Sequence, residues 1–342
     1  MTNNFRDNQP PVTIILPTLN EIDFIQSCLE SLVAQDYREI AEILVVDGGS
    51  TDGTRDLVIA FGGKVQLIDN PGVIAAAAMN IGISKMDTEI FVRADAHALY
   101  ATDYVRRSVE AYSSNNATVA GGPMRPLGTT PFGRAVAAVT TSPFGVGPGK
   151  FHYSDKLQEV DTVYLGTFNK KAVLAVGGFD EVNLHRGLGE DQELNFRIRR
   201  AGGRIILDPQ IHSTYFPRST PASLARQYHH YGICKVSTLA KHKTLPYWRP
   251  LAPAAMVLGS GLWVILSVSL GYVSFAVTPF VLYAATALVI GLKLKKGSGA
   301  NALRSALALT ICHWCYGAGF WRGILRVATF RKFRTQSTFR SR

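Results

Sequence analysis

The sequence predicts an α/β fold, a mostly parallel sheet with helices on both faces, continued at the C-terminus by a transmembrane helical hairpin. Two observations predict it. Short β-branched runs alternate with stretches of helical spacing over the first hundred residues, and such alternation winds a parallel sheet. Between Arg249 and Lys293, 43 residues carry no charge, which is room for two bilayer-crossing helices of about 20 residues each.

The elements follow in order. "VTIIL" (12–16) has the composition of a buried parallel strand, and Pro17 and Asn20 end it. In "EIDFIQSCLESLVAQ" (21–35), Ile22, Ile25, Leu29 and Leu32 fall on one helical face. Then come a strand "EILVVD" (42–47), a Gly-rich turn "GGSTDGT" (48–54), a helix from about Arg55 and a strand "KVQLI" (64–68). A helix "VIAAAAMNIGISKM" (73–86) leads to the strand "EIFVRA" (89–94). Ligands of such sheets bind at the carboxyl ends of the strands. Four ends are therefore expected to face one crevice: 17–21, 47–53, 69–72 and 95–97. Further on, "TPFGRAVAAVT" (130–140) reads as a short helix, and residues 160–180 as a strand, a Gly-containing turn and a helix. "GEDQELNFRIRRAGGRIILD" (189–208) reads as a helix followed by a strand, with Glu190 and Asp191 in a first turn where the helix dipole favours anions.

Charge is unevenly spread. No Asp or Glu occurs from Leu251 onward, while residues 293–342 carry eleven of the 36 Lys and Arg, leaving 25 basic and 25 acidic side chains in the first 250 residues. A neutral body with a wholly basic tail points to anionic membrane lipids as the tail's partner and not to a nucleic acid. The expected organisation is a globular domain over 10–218, an amphipathic interfacial segment over 219–249, and a membrane region over 250–342 with spans near 251–270 and 275–292. A third apolar segment, 305–321, is expected to be re-entrant or interfacial, because a third span would put one of two basic clusters on the outer side. No signal peptide is read before residue 12, so the body is expected on the cytoplasmic side. Cys312-x-x-Cys315 is a single pair inside an apolar run and no disulfide framework.

No G-x-G-x-x-G follows the first strand, and neither a P-loop nor a G-x-S-x-G elbow occurs. What remains, "ILPTLNE", "VVDGGSTDGT", "RADAH", "GED" and "RQYHHYG", resembles family 2 glycosyltransferases with the GT-A nucleotide-sugar-binding fold. With its apolar tail the chain is most similar to bacterial exopolysaccharide glucosyltransferases of the succinoglycan type. The resemblance implies that Pro17, Thr18 and Glu21 line a base and ribose pocket, with Asp47, Gly49 and Asp52 at the uracil of a UDP-sugar donor. A carboxylate accepts the uracil imide N–H; the alternative is Asp47 as a strand end with Ser50 and Asp52 as helix caps.

Asp95 stands at the family's acidic position for a divalent cation, Mg²⁺ or Mn²⁺, and His97 replaces the second Asp. In an extended strand the two would point to the same side and share one ion, or His97 is an ordinary hydrogen-bonded histidine. Asp191 matches the family's catalytic carboxylate, beside Glu190; both are also favourable helix N-terminal acids. Arg226, Gln227 and Tyr231 fall where processive synthases carry a Gln-x-x-Arg-Trp motif. Here Arg-Trp is missing, which implies single-sugar addition. The expected activity is inverting transfer of one hexose, with glucose favoured, to an isoprenoid-diphosphate-linked saccharide at the bacterial inner membrane. The competing readings are a polyprenyl-phosphate hexose synthase and a non-catalytic membrane scaffold.

Overall fold

The computed structural model describes residues 9–182, 184, 189–244, 248 and 251–329, with the side chains of 296–298 excepted. β1 (Val12–Thr18) leads through a turn to α1 (Ile25–Val33), and β2 (Ile40–Asp47), α2 (Thr54–Phe61), β3 (Val65–Asp69), α3 (Ala75–Lys85) and β4 (Ile90–Arg93) repeat the alternation. Next come β5 (Ala98–Tyr100), α4 (Tyr104–Ser114), β6 (Val119–Gly122), β7 (Arg125–Pro126), α5 (Pro131–Thr140) and one helical turn, α6 (Pro143–Val146). β8 (Gln158–Glu159), β9 (Tyr164–Asn169), α7 (Lys170–Ala175), α8 (Glu190–Arg200), β10 (Ile205–Leu207) and β11 (Ser213–Tyr215) follow. The chain continues as α9 (Pro221–His242), α10 (Leu251–Ser269), α11 (Thr278–Ser298) and α12 (Ala302–Thr329).

These elements divide into two compact units. The first holds the described residues up to Arg125 together with those of Lys150–Tyr215; the second holds Pro126–Gly149 and the described residues from Phe216 to 329. The division departs from the expected boundary at residue 218, because α5 and α6 belong with the C-terminal helices.

In the first unit one sheet runs in the order β3-β2-β1-β4-β9-β6-β10-β8. β3, β2, β1 and β4 are parallel neighbours, whereas β9 runs antiparallel between β4 and β6. Alternate side chains of each strand enter opposite cores. Ile14, Leu16, Val45 and Val92 face Ile25, Leu29 and Tyr104 on one side. Ile15, Leu44, Val46 and Phe91 face Ala78, Met79 and Phe168 on the other. Both faces are covered, which is why these strands read as continuous apolar runs. Register aligns the strand ends, Thr18 beside Asp47 and Asp47 beside Asp69. The crevice expected at the carboxyl edge is therefore assembled.

Three local expectations are corrected. The first helix starts at Ile25, not residue 21, because Phe24 N–H bonds Glu21 C=O at 2.9 Å in a turn, and Ile22 is left 37 % exposed. In 160–180 the helix α7 follows the strand directly, and the glycines Gly177 and Gly178 come after it. Asp95–His97 is a turn between β4 and β5, closed by Ala98 N–H to Asp95 C=O at 3.2 Å, so strand alternation does not align those side chains.

In the second unit α9 begins at Pro221 with the Thr220 hydroxyl accepting from Ser223 N–H at 3.2 Å. It packs along α12, an unbroken helix that contains the whole 305–321 segment and does not turn back on itself. The crossing depends on bare backbone. A Cβ on Gly319 would collide with the His229 carbonyl, one on Gly232 with the Tyr316 carbonyl, and one on Gly323 with Val236. Gly319-x-x-x-Gly323 is thus the small-residue spacing that lets helices approach closely. Two helical segments, Leu251–Ser269 and Val273–Lys295, are long and apolar enough to cross a membrane, and their apolar windows are only 17% and 6% buried within the protein. Ile265 and Leu282 on them are 64 % and 63 % exposed, as a lipid-facing surface requires. The tail beyond residue 329 lies outside the described residues.

Candidate active site

The loops after β1 and β2 are stitched together. Asn20, at φ +53, accepts from Thr51 N–H at 2.9 Å through its amide oxygen, while its own N–H bonds the Ser50 hydroxyl at 2.7 Å. Glu21 N–H bonds the Thr54 hydroxyl at 2.9 Å, and Ile22 N–H bonds Asp52 Oδ2 at 3.1 Å. Asp52 Oδ1 also takes the Thr54 hydroxyl at 2.6 Å. These side chains spend their hydrogen bonds on the frame, which leaves the backbone at the strand ends fixed. Pro17 is half-buried and ends the run, and Thr18 is buried with its hydroxyl on Leu16 C=O at 3.2 Å.

Asp47 is the hinge pin of this frame. Its side chain is fully buried; Oδ2 accepts from Gly49 N–H and Ser50 N–H at 2.9 Å each and from Arg55 Nη1 at 2.9 Å, and Oδ1 accepts from the Ser50 hydroxyl. Gly49 sits at φ +89, a conformation that suits glycine. Burial alone would raise the Asp47 carboxyl, but the bonds from Ser50, Arg55 and Gly49 outweigh it and hold the group below the usual carboxylate range. Arg55 reaches on to Asp69 at 2.8 Å, joining the ends of β2 and β3.

At the end of β4, Asp95 is clamped through its backbone. Its N–H bonds Tyr100 Oη at 2.7 Å, and its carbonyl accepts from Tyr100 Oη at 3.2 Å and from Cys28 Sγ at 3.5 Å. Burial, with the charges of Asp95 and Glu21, pushes the Cys28 thiol up, so it stays protonated and donates. The Asp95 carboxylate is 22% exposed and faces Arg93 Nη2 at 3.8 Å. His97 Nδ1 lies 3.5 Å from Glu21 Oε1, and its ring meets Tyr215 edge-on at 6.0 Å.

Arg93 was not singled out in the sequence, although an arginine inside the buried run "EIFVRADA" is itself a signal. Its guanidinium is buried and bonds Glu190 Oε1 at 2.8 Å. This brings the first turn of α8 to the end of β4. Burial pushes the Glu190 carboxyl above its ordinary range, opposed by Arg93 and reinforced by the charge of Asp191. Asp191 is half-buried, with Oδ1 taking Gln192 N–H at 2.7 Å.

The structure thus gathers Pro17, Thr18, Glu21, Asp47, Gly49, Asp52, Asp95, His97, Glu190 and Asp191 in the first unit. Arg226, Gln227 and Tyr231 belong to the second, on α9, where Gln227 Nε2 donates to Tyr231 Oη at 3.0 Å. Among the described residues no group of three or more His, Cys, Asp or Glu converges as a metal cage. Asp95 offers the kind of hard oxygen donor that Mn²⁺ or Mg²⁺ takes, whereas the His97 imidazole suits Mn²⁺ better than Mg²⁺.

A family model described as "Glycosyl transferase family 2" matches residues 13–168. The chain is also 30% identical over 321 residues to "Succinoglycan biosynthesis protein ExoA" of Rhizobium meliloti, covering 91% of this chain and 94% of that protein. The chain belongs to glycosyltransferase family 2. It is 26% identical to a Methanococcus voltae family relative named a dolichyl N-acetyl-α-D-glucosaminyl phosphate 3-β-D-2,3-diacetamido-2,3-dideoxy-β-D-glucuronosyltransferase, over 66% of this chain and 72% of that one. The fold is similar to that of the Pyrobaculum calidifontis mannosyltransferase PcManGT, solved with GDP-Man and Mn2+, at TM-score 0.57 and 19% identity, covering 93% of this chain and 88% of that chain. The protein is accordingly a family 2 glycosyltransferase of GT-A fold, with two apolar C-terminal helices fit for a membrane hairpin.

Proposed function

We propose that this enzyme transfers a single hexose, glucose in the first instance, from a UDP-sugar to an isoprenoid-diphosphate-linked saccharide, with inversion, during bacterial exopolysaccharide assembly. The observation that carries the reading is Arg93, which faces Asp95 at 3.8 Å and bonds Glu190 at 2.8 Å. Through it the carboxylate beside the donor's diphosphate and the carboxylate beside Glu190 share one site.

Asp191 takes the proton of the attacking acceptor hydroxyl. The new bond forms at the anomeric carbon from the face opposite the leaving group. The old C1–O bond breaks, its electron pair leaving with the diphosphate as UDP. A single displacement turns an α-linked donor into a β-linkage. The stitched loops around Glu21, Asp47, Gly49 and Asp52 hold the nucleoside, with Pro17 and Thr18 forming the floor of that pocket. Asp95 and His97 would hold the divalent cation, which when bound neutralises charge on the leaving diphosphate.

A lipid-linked acceptor is supported by the two apolar helical segments and by the names of the relatives in Rhizobium meliloti and Methanococcus voltae. Lys293, Lys295 and Arg304 border the second segment, which favours a cytoplasmic face for the body in the inner membrane. On this reading Arg226, Gln227 and Tyr231 serve the acceptor, and the basic tail binds anionic lipid.

The test is turnover of a panel of UDP- and GDP-sugars by detergent-solubilised enzyme with bacterial lipid extract, in Mn²⁺, Mg²⁺ or EDTA. Turnover of one UDP-sugar, reduced about 100-fold or more in Asp191→Asn and abolished by EDTA, is expected. A product cleaved as a lipid-phosphate ester would replace the saccharide acceptor by the polyprenyl phosphate. Full cellular function of Asp191→Asn would replace the enzyme role by a scaffold.

A further inference from the structure

Arg93 is a costly residue to place where it is. Its side chain is 8% exposed, and its Nε and Nη1 have no hydrogen-bond partner among the described residues. A buried guanidinium with N–H groups unmet costs more than an apolar side chain of the same volume would. The sheet itself does not ask for it, since its strand neighbours Ile90, Phe91 and Val92 are all apolar and buried. Across the strands it is level with Ile15 and Gly166, neither of which offers a charge. The bond that Arg93 does make runs out of the sheet, to the first turn of α8.

That turn needs a tether. α8 starts from Gly189 in the left-handed region, at φ +76, with no side-chain cap bond. A glycine cap leaves the first N–H groups of the helix without a side-chain acceptor. Among the described residues, the anchor for its first residue is Glu190 Oε1 on Arg93 Nη2. The next residue is Asp191. At its other side Arg93 is two residues from Asp95, whose backbone Tyr100 and Cys28 hold.

We propose that Arg93 is a positioning residue, which pins the first turn of α8 to the end of β4 and so fixes the Asp191 carboxylate relative to Asp95. The proposal rests on Asp191 being the base. Arg93 itself need not touch either substrate. A loose tether leaves donor binding intact and misplaces the base, and a displacement of about 1 Å is enough to cost on the order of 100-fold in rate.

The experiment uses the full chain in detergent and four variants: Arg93→Met, Arg93→Lys, Arg93→Met with Glu190→Gln, and Asp191→Asn. Hydrogen exchange of the Glu193 amide, which bonds Gly189 C=O across that turn at 3.0 Å, needs no substrate. It is expected to speed at least about 10-fold in Arg93→Met; an unchanged rate overturns the proposal. Turnover is read with the UDP-sugar that the wild type uses. The double variant removes the lone buried charge, so it is expected to melt near the wild type while kcat stays about 100-fold down and donor KM moves less than about 3-fold. Arg93→Lys, which keeps one donor, is expected to recover about 10-fold of the loss. A double variant with wild-type kcat would reduce the pair to a stabilising contact and overturn the proposal. A raised donor KM at unchanged kcat in Arg93→Met would make it a substrate contact and overturn it too. Full kcat in Asp191→Asn would instead remove the base assignment, and is seen independently of the exchange result.

Discussion

Asp47 shows how one carboxylate can shape a substrate loop without facing solvent. Four hydrogen bonds converge on it, and its protonation would break the Gly49–Ser50 turn. Its folded-state pKa lies below the unfolded one, so its contribution is fully present above the unfolded value of about 3.9 and is lost as pH falls through the lower folded value. Asp47→Asn is therefore expected to cost about 2 kcal/mol at pH 7, where the charge-assisted bonds are intact. The gap between variant and wild type should close progressively below about pH 4. Denaturation followed across that range checks it; a gap that is constant with pH contradicts the charge argument. The sequence made Asp47 and Asp52 visible as loop carboxylates. It did not reveal that they bond the frame, because Asp47 meets Gly49, Ser50 and Arg55 only once the turn has closed, and Asp52 takes the Ile22 N–H from a loop 30 residues away. Arg93 was missed for a different reason: one charge in an apolar strand carries no partner in its local pattern, and Glu190 lies 97 residues further along the chain.

Among elements, the strands with two apolar faces were the most legible. β1, β2 and β4 are bounded by turn residues and largely buried on both sides, so composition alone marks them. Less legible was α4, whose buried face mixes Tyr104, Val105, Ser108, Val109 and Ala111 with arginines that pair Asp36, Asp103 and Glu110. The insertion of β9 antiparallel between β4 and β6 left no local trace, because strand order is set by packing of segments far apart in the chain. The crossing of α9 on α12 was also unread, though Gly319 and Gly323 stood four apart. It carries a prediction of its own. Gly319→Val places a branched side chain against the His229 carbonyl, and overpacking of that kind costs about 3 kcal/mol. A lowered melting temperature in detergent, with α-helical content unchanged at low temperature, is the expected result. A melting temperature equal to the wild type would mean that the helices part without loss.

For the whole molecule, the charge-free run was the clearest signal of all, and it stands as two exposed apolar helical segments; the basic end past residue 329 lies outside the described residues. Full-length protein is expected to stay in the membrane fraction after alkaline carbonate extraction, and a variant lacking 251–298 to be released or to aggregate. Release of the full-length chain would contradict a spanning hairpin. The boundary that composition could not mark is the one at residues 126–149, whose helix α5 shares a core with residues near the far end: Phe132, Val136 and Val139 pack with Ala308, Leu309 and Cys312. This arrangement sets an order of events during synthesis. The sheet-bearing unit has all its strands once residue 215 has been made, whereas α5 shares its core with Leu224 of α9, Ala287 of α11 and Ala308, Leu309 and Cys312 of α12, so that core is complete only when α12 exists. The chain through α12 must be translated before that core closes, and the hairpin emerges between the parts that must meet. The apolar faces of α5 and α9 therefore wait without α12 while α10 and α11 choose their side of the bilayer, so the membrane is engaged before this core is finished, and a pause in translation between 250 and 300 would leave the longest-lived sticky intermediate.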